Sequence, residues 1–149
     1  MAVDLSVSYR APATARAMAE AATRFVASLN PAQRKEATFP FAGDERYTWN
    51  YRPTQGGDSR FYDRKGLRLI NMTSEQQQLA LALIDAGMSA RSAEQARWIM
   101  ALENILREHE RADGRTFPGV RDSELYWFSI FGDPSGSAPW AWRAGGPGR

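Results

Sequence analysis

The sequence predicts an α+β domain: a mainly helical N-terminal part with a helical hairpin, packed on a small antiparallel sheet near the C-terminus. Three observations point there. Apolar residues recur at helical spacing in the segments 11–29, 74–87 and 92–110, each opened by a recognisable start signal. Tyr47, Trp49 and Tyr51 alternate with polar residues, the period of a strand. The run from Glu124 to Phe131 is apolar on both faces, which suits a central strand covered above and below.

Residues 1–10 read as a loose lead-in. Pro12 suits a first helical turn, and Met18, Ala22, Phe25, Val26 and Leu29 fall on one stripe. Asn30, Pro31 and Gln33 then combine an N-cap, a proline at the first position and a capping-box glutamine, so a short helix to about Ala37 is expected. Residues 46–52 are expected to form the first strand, and 53–59 a loop by composition. Thr73 with Gln76 is a second capping box, opening a helix that ends near Gly87 as the C′ residue. Ser92 with Gln95 repeats the signature and opens the longest helix, to about Glu110. On it Trp98, Leu102, Ile105 and His109 share a stripe, with Ile99 and Leu106 alongside. Glu103 precedes Arg107 by four residues, the order that favours a solvated ion pair. These last two helices should pair across residues 87–89 as an antiparallel hairpin. Strands at 124–131 and 139–143 follow, joined by a turn at Asp133 and Pro134, and residues 144–149 read as a flexible tail.

Composition narrows the function classes. The chain of 149 residues fits one domain, with 43% hydrophobic and 24% charged residues. Net charge is +2, divided as +3 over residues 1–75 and −1 over 76–149, so neither half is a polycation. A balance of this kind disfavours nucleic acid as a partner. No cysteine is present, which excludes disulfides, thiolate nucleophiles and Cys-ligated metals. No secretory signal or long apolar run is visible, so a cytoplasmic protein without membrane contact is expected.

Few residues carry specific chemistry. His109 is the sole histidine, so no metal site is expected, and its place near a helix end reads as a cap more than as an acid–base group. Arg60, Arg64, Lys65 and Arg68 beside Phe61 and Tyr62 could grip a phosphate, or form a solvated loop; Gly56-Gly57 lacks a phosphate-cradle pattern. Trp49, Tyr51, Trp140 and Trp142 could line a pocket for a planar ligand, or fill a core. Together with Arg64 and Lys65 they are the candidate ligand-binding residues, for an unknown small molecule. Catalytic residues and cofactor stay open.

Five ordered segments then resemble the bacterial family called domain of unknown function 3500: residues 37–41, 64–73, 99–103, 124–132 and 139–146. The resemblance spans about residues 24–146. It implies no catalytic residues. It implies instead that relatives continue beyond the Trp140-Ala-Trp142 segment into a histidine-containing, strand-rich part, which makes this chain look like an N-terminal portion.

Three functional expectations result. The first is a shortened N-terminal portion of a larger enzyme or ligand-binding protein, since the terminal strands carry more apolar surface than the rest should cover. The second is a self-associating module that covers those strands in a homo-oligomer. The third is a weak phosphate or nucleic-acid binder through the 60–68 stretch.

Overall fold

The computed structural model describes residues 11–49, 64–114 and 121–146. Four helices pack on a small mixed sheet, an α+β arrangement. Helix α1 (Pro12–Ser28) starts on its proline and buries Ala21, Ala22 and Phe25. Helix α2 (Pro31–Ala37) opens with the Asn30–Gln33 capping box, Asn30 Oδ1 accepting from Gln33 N at 2.9 Å. Helix α3 (Ser74–Gly87) opens with the Thr73–Gln76 box. The two capping glutamines also bind each other. Gln33 Nε2 donates to Gln76 Oε1 at 2.9 Å, and Gln76 Nε2 donates to Gln33 Oε1 at 3.0 Å and to Ser28 O at 2.8 Å. The starts of α2 and α3 and the end of α1 are thereby tied at one point, with Gln76 buried and fully bonded.

Helix α4 (Ala90–Ala112) begins three residues earlier than the Ser92 signature suggests. Ser89 is the N-cap, its hydroxyl accepting from Ser92 N at 3.2 Å. α3 packs principally on α1 and also meets α4, to which the Arg97–Asp85 ion pair ties it. Gly87 is the last residue of α3, not a C′ glycine; Met88 caps it. Its lack of a side chain serves packing: a Cβ there would sit 2.6 Å from the Trp142 ring and 3.2 Å from Met18 sulfur.

The sheet is mixed, with β3 (Trp127–Phe131) at its centre. One edge of β3 pairs along its length with β4 (Ala141–Gly145), from Trp127↔Gly145 to Phe131↔Ala141. The other edge is shared by two short strands. β2 (Leu67–Arg68) is antiparallel, with Leu67 opposite Phe128; β1 (Thr38–Phe39) is parallel, with Phe39 opposite Phe131.

The strand expected at 46–52 is absent from its described part, residues 46–49; Asn50, Tyr51 and Arg52 lie outside the described residues. Asp44–Tyr47 is a 3₁₀ turn held by Arg143. Tyr47 there ends a turn and stacks with Arg46, which also lies over Phe41, so the alternation is not that of a pleated strand. The place foreseen for it in the sheet is taken by β1 and β2.

The core lies between the helices and one sheet face. Phe25 meets Phe128 with ring centroids 6.3 Å apart, and Ile130, Leu67, Leu83 and Ile84 complete the cluster. Phe128, Ser129, Ile130 and Phe131 are all nearly inaccessible, so β3 is central and covered on both faces. β3 itself thus leaves no apolar surface bare, whereas residues 140–145 of the terminal ribbon are half-buried.

Candidate functional site

Period-two alternation assigns β4 side chains to opposite faces of the sheet. Trp140, Trp142 and Ala144 pack toward the helical core, while Arg143 points to the other face. Trp142 lies over Gly87 at the end of α3. Arg143 clamps the 3₁₀ turn. Its Nη1 donates to Glu45 O at 2.9 Å and Thr48 O at 2.8 Å, and its Nη2 to Glu45 Oε1 at 2.7 Å. Lys65 Nζ stands 3.7 Å from the other Glu45 oxygen. Trp49, just past this clamp, is 78% exposed.

The six candidate ligand-binding residues are therefore divided. Trp49 and Lys65 flank the Arg143–Glu45 clamp, whereas Trp140 and Trp142 line the opposite, helix-facing side. Tyr51 lies outside the described residues, as do Arg60, Phe61 and Tyr62. Arg64 stacks over the Trp127 ring at 5.6 Å and donates to Gly146 O. Burial lowers its proton affinity, though a guanidinium keeps its charge.

The second distinctive region is α4, which sends Ala93 and Met100 into the core and, further along, faces the body with polar side chains. Glu103, Asn104, Arg107 and Glu110 all grip the segment 121–124. Arg121 is only 9% exposed, and its guanidinium donates to Glu110 at 2.9 and 3.1 Å and to Glu103 Oε2 at 3.1 Å. Those bonds, with Glu110 the largest influence, hold the Arg121 proton still more firmly. Arg107 Nη1 reaches Asp122 Oδ2 at 2.8 Å, and Asn104 exchanges hydrogen bonds with the Ser123 hydroxyl and amide. Glu103 is thus a nearly buried partner of Arg121, and the solvated Glu103–Arg107 pair expected from spacing does not form. A buried arginine outcompetes a surface neighbour because both carboxylates lose water and need its five donors. Nearby Tyr126 is pushed up to about 12, by burial first and then by the Glu103 charge.

The consequence lies on the opposite side of the helix. Trp98, Ile99, Leu102, Ile105 and Leu106 are 65%, 58%, 46%, 63% and 39% exposed. His109 near the helix end is exposed too, its Nδ1 3.2 Å from Asp113. Sequence reasoning identified this stripe but not its outward direction; Arg121, in an irregular segment, carried no local signal for it.

Among the described residues, no group of three or more His, Asp or Glu is placed to hold a metal, and no helix is long and apolar enough to cross a membrane.

These features define an α+β domain with one helix turned polar side in. The chain belongs to the family described as "Protein of unknown function (DUF3500)", which matches residues 11–147, nearly its whole length. No curated protein and no solved structure matches it.

Proposed function

We propose that this chain is a docking domain, working against another polypeptide surface through α4. It would do so within a larger enzyme or ligand-binding protein, or as a self-associating module. One observation carries the reading: five large apolar side chains lie uncovered on one helix whose polar side is anchored by a nearly buried Arg121 network. An apolar patch of this extent on a protein surface marks an interaction site more often than chance exposure. The anchoring matters because it fixes the orientation. Rolling the helix to bury Trp98 and Ile105 would carry Glu103 and Glu110 away from Arg121.

Stability tests this reading. At submicromolar concentration, where the chain is monomeric, replacing Leu102 and Ile105 together by glutamate should change unfolding free energy by no more than about 0.5 kcal/mol, the range of surface substitutions. A loss of about 2–5 kcal/mol per site, the cost of emptying a core position, would show that the chain covers this face itself and end the docking reading.

A small-molecule role finds narrower support in the exposed Trp49 beside Lys65 and the Arg143–Glu45 clamp. Phosphate binding by the 60–68 stretch finds less, because Arg64 is occupied with Trp127 and Gly146, and Lys65 lies near Glu45.

A further inference from the structure

We infer that the partner of α4 is a second copy of this chain, docked antiparallel about a two-fold axis through Leu102; this rests on the docking reading above. The exposed face is self-complementary in that register and in that register's polarity. The apolar residues 98, 99, 102, 105 and 106 centre on Leu102 both along the helix and around it, at 100° per residue. An antiparallel two-fold there sets Trp98 opposite Leu106 of the second copy, Ile99 opposite Ile105, and Leu102 opposite itself. The ends of the face match as well. Arg91 comes opposite Asp113, and Gln95 opposite His109, and all four of these side chains are exposed. A parallel pairing would instead stack Arg91 on Arg91 and Asp113 on Asp113. Antiparallel docking also sets the two helix dipoles side by side and opposed, the positive end of each beside the negative end of the other.

The area suffices. Taking ~200 Å², the size of an aromatic side chain, as an upper value for each, the five exposures correspond to at most roughly 500 Å² of surface. Complete burial of these side chains in two copies removes at most about 1,000 Å², which reaches the threshold for a specific interface, and the polar ends add to it. The spacing of Trp98, Leu102, Ile105 and His109, alternately four and three residues apart, is that of a seam between two helices crossing at a shallow angle.

Light scattering over a concentration series of the full chain reads the association, and charge reversal reads the register. The mass should rise from 16.7 kDa toward twice that value in the micromolar range. Ile105→Glu should remain monomeric with unchanged circular dichroism, and should melt like the wild type at submicromolar concentration, where neither associates. Arg91→Glu should weaken the dimer about 3- to 10-fold, as expected for two rim ion pairs turned repulsive, and Arg91→Glu with Asp113→Arg should restore it. A second reading of the axis comes from Leu102→Cys, the only thiol in a chain without cysteine, which should form a disulfide-linked dimer under mild oxidant. A wild-type chain that stays at one mass up to several hundred micromolar overturns the second copy as partner. A double charge variant no tighter than Arg91→Glu overturns the register. Neither result touches the stability test of the docking reading, so the two failures are separable.

Discussion

Arg121 Nη1 meets Glu103 Oε2 at 3.1 Å in a site where both side chains are nearly buried, and this contact decides which side of α4 faces out. A guanidinium shared between Glu103 and Glu110 satisfies two carboxylates that would otherwise be desolvated close together. The helix is therefore held by charge on its inner side, and its apolar side is what remains for solvent or a partner.

Removing the guanidinium should be costly. Arg121→Ala removes the guanidinium that Glu103 and Glu110 share, and we expect about 3–5 kcal/mol of lost stability in urea unfolding. Arg121→Met, which keeps volume, should recover little of that, since the penalty arises from the lost charge and donors and not from lost packing.

Gly87→Ala should also destabilise, although alanine is the better helix former. The added Cβ falls 2.6 Å from the Trp142 ring, an overpacking expected to cost about 1–3 kcal/mol. Shortening Trp142 to leucine in the Gly87→Ala background should return part of the loss; thermal melting of the two variants beside the wild type checks it.

Arg143 should govern the 3₁₀ turn locally. Arg143→Met removes the donors to Glu45 O and Thr48 O, and amide exchange of residues 44–48 should accelerate while helical amides keep their protection. Uniform acceleration throughout the chain would contradict a local clamp.

Tyr126 sets an alkaline limit. Its folded hydroxyl is pushed up to about 12, above its value in the unfolded chain, so between the two the unfolded state releases its proton first. Stability should therefore fall as pH rises through that window and be unaffected by this group below it. Tyr126→Phe should flatten the decline, which pH-dependent urea midpoints would show.

Elements with local signals were legible from the residues. The Asn30 and Thr73 capping boxes mark α2 and α3 because both caps act within four residues. The doubly apolar pattern of β3 marks it as central. β1 was hidden, since two residues paired in parallel across ninety positions of chain leave no periodic trace. Tyr47 and Trp49 misled because a 3₁₀ turn ending at Tyr47, followed by an exposed Trp49, shows the same alternation as a strand. The stripe on α4 was legible as a stripe; its outward direction was not, because Arg121 and Asp122 act from a distant irregular segment. For the candidate ligand residues, alternation along β4 was enough to part Trp142 from Arg143, but only the Arg143–Thr48 bond shows on which side Trp49 stands.

The orientation of α4 is tested most directly by hydroxyl-radical footprinting at submicromolar concentration, where association is negligible. Trp98, Leu102 and Ile105 should be modified rapidly, while Met100, buried on the same helix, is protected despite its reactive sulfur. Rapid oxidation of Met100 with protection of Trp98 and Ile105 would mean that the helix is rolled the other way, and the docking face would not exist.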